Sequence, residues 1–187
     1  MNINLTDLQG TDIYLIDQIL KRRLSAGQKV LDVGCGSGRN LGILEKLGLD
    51  IHGVDLNPSA IEQCQNSLTT FSIDKFFCCD ILELPFPTHH FDVVLCNALF
   101  HFAPDKQTFM KWANKSWEVL KPGGLFFSRL STKIGLPHAQ PPGFNYLADE
   151  IDITELEQAW GAKRLDPLKT TLVESSRTMT TWVLIKP

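Results

Sequence analysis

No apolar run in the chain approaches the ~20 residues that a membrane-spanning helix needs, which argues against an integral membrane protein. Met1 to Asp12 carries polar residues throughout and lacks the charged start and apolar core of a secretory signal, so the expected location is cytoplasmic. The five cysteines (Cys35, Cys64, Cys78, Cys79, Cys96) form an odd set without a CxxC spacing. They suit neither a disulfide framework nor a zinc site, and are expected to be reduced and mostly buried. A basic excess is missing too. With 18 Lys+Arg against 21 Asp+Glu the formal charge is −3, which disfavours a surface wrapped around a nucleic-acid backbone. Clustered carboxylates for a magnesium site are not evident, so no metal is expected. Internal repeats and low-complexity blocks are likewise absent.

What is present is an ordinary globular composition, 43% hydrophobic and 21% charged over 187 residues. A chain of this size should bury roughly 70% of its unfolded surface in one domain. Ile13, Ile16, Leu20 and Leu24 predict an amphipathic helix over about 12–24. Strands are predicted at Lys29–Val33, Leu49–Asp55, Lys75–Cys79, Phe91–Cys96 and Leu125–Leu130. Between them, Leu41, Leu44 and Leu47 predict a helix closed by Gly48. Asn57-Pro58 opens another, and the stripe Phe109, Trp112, Ala113, Ser116, Trp117, Leu120 a third, stopped by Lys121-Pro122-Gly123-Gly124.

Strands alternating with helices imply an α/β fold of three layers, a doubly wound, mostly parallel sheet with helices on both faces. Residues 132–150, rich in proline and glycine, read as a long connection. After it, Asp152–Trp160 is a short helix with Asp152 and Glu155 spaced as a capping box. Leu168–Glu174 and Thr178–Ile185 read as a terminal antiparallel hairpin joined by Ser175-Ser176-Arg177. The expected organisation is one domain, with a helical segment (1–28), a cofactor-binding core (29–130), a substrate lid (131–160) and the hairpin (161–187).

Asp32-Val33-Gly34-Cys35-Gly36-Ser37-Gly38 sits at the first strand-to-helix junction, where glycines allow a tight turn and close approach of a ligand. A helix starting near Gly38 would offer free N–H groups to an anionic group of that ligand. Asp55, ending the next strand, can accept two ribose hydroxyls. A dinucleotide fingerprint would need a small residue at position 39, where Arg39 stands, and Asp32 would repel a pyrophosphate. A nicotinamide-dependent oxidoreductase is therefore the disfavoured alternative.

The loop resembles the first motif of the class I S-adenosylmethionine-dependent methyltransferases. The resemblance extends to Asp55, to Cys79-Asp80-Ile81, to Phe91–Asn97 and to Leu120–Leu125, covering about residues 29–130. It implies a seven-stranded, Rossmann-like sheet ending in the hairpin. It also implies that S-adenosylmethionine is the cofactor and S-adenosylhomocysteine the product. Asp32, Gly34, Cys35, Gly36 and Gly38 would hold the amino-acid end of the cofactor, Asp55 and Leu56 the ribose, and Asp80 and Ile81 the adenine. Asn97 and Ala98 would face the sulfonium.

His101 is the candidate base or acceptor-pocket residue, with a half-buried loop histidine as the alternative. Tyr14, Phe100, Arg129 and Tyr146 are candidate pocket residues; Arg129 would serve an acidic acceptor or a surface ion pair. The run Asn97-Ala98-Leu99-Phe100 lacks the paired prolines typical of amino-methylating nucleic-acid enzymes, so the expected partner is a small molecule. A non-catalytic module that binds the same cofactor stays open.

Overall fold

A computed structural model describes residues 3–68, 73–135, 141–173 and 177–187. Eight strands form one sheet: β1 (Lys29–Val33), β2 (Asp50–Asp55), β3 (Phe76–Cys78), β4 (Phe91–Asn97), β5 (Leu120–Leu130), β6 (Lys163–Arg164), β7 (Lys169–Val173) and β8 (Arg177–Ile185). Their order is β3-β2-β1-β4-β5-β8-β6, with β7 also on β8. The first five pair in parallel, and β8 runs antiparallel to β5, β6 and β7. The sheet therefore has eight strands where seven were expected. The extra one, β6, is two residues long, too short to leave a periodic signal. β6 and β7 follow the same edge of β8, as one interrupted strand.

The helices are α1 (Ile13–Leu20), α2 (Leu41–Lys46), α3 (Pro58–Ser67), α4 (Lys106–Glu118) and α5 (Glu150–Trp160). Leu15, Leu41, Leu44, Ile61 and Cys64, from α1 to α3, pack with Val30, Val93, Leu95 and Phe127 of the sheet. On the other face, Phe109, Ala113, Trp117, Ile153 and Leu156, from α4 and α5, pack with Leu31, Val94, Phe126 and Trp182. Both faces are covered, which is why the central strands are continuous apolar runs without alternation.

Local chemistry sets the element ends. Asn57 caps α3 by accepting the Ser59 N–H, with Pro58 in the first turn. Helix α5 starts earlier than its apolar pattern suggests, because Asp149 and Asp152, rather than Asp152 and Glu155, form the capping box. Gly161, left-handed at φ 59°, ends it. The expected glycine turn at 121–124 lies inside β5, where the pairing shifts register between Phe91 and Val93. Residues 174–176, the expected hairpin turn, lie outside the described residues.

Strand order reverses between β1 and β4, whose neighbours β2 and β5 lead away in opposite directions. The carboxyl ends of such strands leave a crevice for a ligand.

Candidate functional site

A cleft lies at that crevice, in two connected halves that share Gly34, Asp55, Ala98 and Phe102. The first half, about 280 Å³, is lined chiefly by Val33, Leu56, Cys79, Asp80, Ile81, Leu99 and Trp112. The second, about 450 Å³, adds Cys35, Gly36, Arg39, Asn97, His101, Arg129, Phe144, Arg177 and Met179.

The glycine loop is folded back on β2. The Gly34 and Cys35 N–H groups donate to the Val54 carbonyl (2.8 and 3.0 Å), and Gly38 N–H donates to the Cys35 carbonyl (3.0 Å). Gly36 N–H donates to Asp55 Oδ2 at 2.8 Å. Helix α2 begins only at Leu41. Of the N–H groups around Gly38, that of Gly36 is thus taken by Asp55 and that of Gly38 by the Cys35 carbonyl within the loop itself. A Cβ on Gly34 would come within 2.8 Å of Leu99 Cδ1, whereas one on Gly36 would meet nothing within 4 Å. The loop is close-packed at its start and open to the cleft at its middle.

Three carboxylates surround the loop, of which Asp55 and Asp80 line the cleft and Asp32 lies beneath it. Asp32 is 1% exposed, and its Oδ1 has no hydrogen-bond partner among the described residues. Burial, augmented by the Asp55 charge and opposed by Arg39, pushes its pKa up to about 7. Asp55 Oδ1 accepts the Asn57 N–H (2.9 Å). Asp80 caps a short 3₁₀ turn by accepting the Leu82 N–H, and its carboxylate still lines the cleft. Asn97 is buried at the end of β4 with Nδ2 unpartnered among the described residues, and Oδ1 is 3.5 Å from Arg39 Nη2. Ala98 adopts the left-handed region at φ 58°, pinned by its N–H to the Arg129 carbonyl (2.7 Å). Such a backbone costs on the order of 1–3 kcal/mol for a residue with a Cβ, and here it turns the chain across the cleft floor.

His101 is buried, with its ring 3.9 Å from that of Phe144. Its Nδ1 accepts the Ser131 N–H at 3.2 Å, and burial, assisted by the Arg177 charge, pushes its pKa down to about 4. At neutral pH it is therefore an uncharged imidazole with its proton on Nε2, a donor rather than a base.

Among the expected pocket residues, Arg129 lines the cleft and also donates through Nη1 to the buried Asp12 (2.7 Å). Three others do not reach it. Phe100 is fully buried against Phe109 and Phe126, because the 3₁₀ turn at Phe100–Phe102 points it into the core and brings Phe102 to the cleft. Tyr14 lies under the Arg129 guanidinium, 4.8 Å from ring centroid to Cζ. The Tyr146 hydroxyl donates to Asp152 Oδ2 (2.5 Å), a carboxylate that also holds Lys106. Tyr146→Phe is expected to cost about 1 kcal/mol of stability, read by denaturant unfolding, and to leave ligand binding unchanged; weakened binding would return the ring to the pocket. Of the expected lid, residues 150–160 are α5, with Ile153 and Leu156 in the core, and Phe144 reaches the cleft. His138, another residue of that segment, lies outside the described residues.

Leu99, Phe102, Trp112, Phe144, Arg177 and Met179 line the cleft without having been singled out from the sequence. Trp112 sits on the apolar stripe of α4, which signals burial and not a ligand. Among the described residues no group of three or more His, Cys, Asp or Glu could hold a metal ion, and no helix is long and apolar enough to cross a membrane.

Residues 31–128 match a family model described as a methyltransferase domain. The chain is 36% identical over 107 residues to a ubiquinone biosynthesis O-methyltransferase of Coxiella burnetii, covering 56% of this chain and 44% of that protein. It is 35% identical over 103 residues to a 2-methyl-6-phytyl-1,4-hydroquinone methyltransferase of Synechocystis, covering 54% and 31%. This chain thus spans less than half the length of either relative. A solved structure of a SAM-dependent methyltransferase from Methanosarcina mazei superposes with a TM-score of 0.73 at 18% identity, covering 90% of this chain and 96% of that one, a likeness of fold.

Proposed function

Because this chain belongs to the methyltransferase-domain family, we propose that it binds S-adenosylmethionine in the cleft beyond β1 and β4 and transfers the methyl group to a small-molecule acceptor. One observation carries the reading: the buried Oδ1 of Asp32 has no hydrogen-bond partner among the described residues, beside a loop whose Gly36 N–H is already held by Asp55. An end built of acceptors suits a ligand that brings donors and positive charge, such as an ammonium and ribose hydroxyls. A pyrophosphate would instead meet the carboxylates of Asp32 and Asp55 there.

When bound, the cofactor supplies a methyl carbon already activated by its sulfonium, so the protein's task is placement and exclusion of water. Asp32 answers the ammonium group. Asp55, fixed by the Gly36 and Asn57 N–H groups, keeps lone pairs for the ribose. Asp80 and Ile81 border the adenine, with Leu99 and Trp112 as apolar walls. Asn97 Nδ2 offers its donor in the larger half. His101 acts there as a fixed donor that positions the acceptor. The names of the two relatives support a small-molecule acceptor.

The test is protein melting with S-adenosylmethionine, S-adenosylhomocysteine or NAD, followed by transfer of labelled methyl groups to a small-molecule panel. A ligand at a hundred times its Kd adds ~2.7 kcal/mol, or roughly 5–11 °C for a domain of this size. A rise with the sulfur ligands is expected, and label should appear in a small product. A rise with NAD alone would overturn the reading. Binding without transfer across the panel would favour a non-catalytic binding module.

A further inference from the structure

The two halves of the cleft differ in the cations that line them. Across from Gly34, Gly36 and Asp55, the larger half is lined by Arg39, Arg129, Arg177 and His101, which come from the glycine loop, β5, β8 and the turn after β4. Arg129 commits Nη1 to Asp12, and its Nε is a buried donor with no hydrogen-bond partner among the described residues. Arg39 Nη2 lies 3.5 Å from Asn97 Oδ1, and its charge also acts on Asp32. His101, with Nδ1 occupied by the Ser131 N–H, has only its Nε2–H to offer. Three guanidinium groups, each with more N–H groups than one partner takes up, and an imidazole N–H gather donors on this side. Phe144, Val173 and Met179 add apolar surface beside it. Donors around an apolar floor match an oxyanion carried on a short apolar body, since guanidinium forks bind carboxylate and phosphate in a bidentate manner.

We propose that the methyl acceptor is a small anionic molecule, a carboxylate or phosphate on an apolar body, whose oxyanion is held by Arg177 and Arg129 with the His101 Nε2–H beside them. The proposal rests on the methyl-transfer reading of the same cleft. Neither its site nor its test requires the acceptor atom to be known.

The experiment uses the full chain saturated with S-adenosylhomocysteine, so that the cofactor's own carboxylate is already placed. Benzoate, phenyl phosphate and the neutral isostere benzamide are then titrated calorimetrically. At least one anion is expected to bind roughly tenfold or more tighter than benzamide; which one does so separates carboxylate from phosphate. Arg177→Gln should abolish that preference, Arg177→Lys should retain part of it, and both should bind S-adenosylhomocysteine as the parent does. Equal binding of benzamide, no binding of either anion, or an unchanged preference in Arg177→Gln would overturn the proposal. A loss of S-adenosylhomocysteine affinity in Arg177→Gln would also overturn it, because the guanidinium would then serve the cofactor. If the parent fails to bind S-adenosylhomocysteine, it is the methyl-transfer reading that falls.

Discussion

Asp55→Ala is expected to weaken S-adenosylhomocysteine binding by roughly a hundredfold or more while the chain stays folded. The carboxylate receives two backbone N–H groups, from Gly36 at 2.8 Å and from Asn57 at 2.9 Å. Hydrogen bonds to a charged group are worth about 1.5–3 kcal/mol each. The first fixes the middle of the glycine loop and the second the entry to α3, so alanine loosens both walls of the cleft at once. It also removes the acceptor proposed for the ribose. Because Asp55 is only half-buried, water can reach the released N–H groups, and the loss of fold stability should stay near 1–2 kcal/mol, or roughly 2–8 °C in Tm. Asp55→Asn keeps an acceptor oxygen and should fall in between, with about tenfold weaker binding. Calorimetric titration reads both variants. Binding by Asp55→Ala within threefold of the parent would mean that the ribose is held elsewhere.

The part of this site that could be read from the sequence is the part built by local chain geometry. Asp32, the glycines and Asp55 fall at strand ends that apolar runs mark, and pairing β1 with β2 in parallel brings the two acids to the same end of the sheet, Asp32 opposite Gly53 and so two residues short of Asp55. The acceptor half is assembled across long sequence separations. Phe144 belongs to a proline-rich connection, and Arg177 and Met179 lie on β8, whose place beside β5 is a matter of tertiary pairing. Nothing in their own neighbourhoods marks them as site residues. Phe100 was misassigned for a related reason. In Phe100-His101-Phe102 a single 3₁₀ turn decides which aromatic ring faces the core and which the cleft, and a residue-type pattern cannot resolve that rotation. The partners of the Gly34, Cys35 and Gly36 N–H groups, the Val54 carbonyl and Asp55, are invisible locally because they lie on the next strand.

Asp32→Asn should separate stability from binding. The carboxyl has a pKa of about 7 in the folded chain against an ordinary 3.8, because burial outweighs the help that Arg39 gives and the nearby Asp55 charge adds to the penalty. The thiols of Cys35, Cys64 and Cys96 also feel its charge. Between about pH 4 and 7 the folded protein thus holds a proton that the unfolded chain has released, so stability falls as pH rises through that window and levels off above it. At about 1.36 kcal/mol per pH unit the cost above pH 7 is on the order of 2–4 kcal/mol. Asparagine never carries that charge. The variant should therefore melt about 5–10 °C above the parent at pH 8 and show little difference at pH 4.5. Binding should change in the opposite sense. An ammonium ligand selects the ionised carboxylate, so parent affinity for S-adenosylhomocysteine should rise about tenfold from pH 6 to pH 7.5, a range in which the ligand's own amino-acid ammonium keeps its proton. In Asp32→Asn that rise should vanish and affinity should be roughly thirtyfold or more weaker at pH 7.5. A variant both more stable and unable to bind would mean that the fold bears the cost of a buried carboxylate for the sake of its ligand. A variant with parental affinity and a parental pH profile would remove Asp32 from the site and leave its unpartnered oxygen without a function.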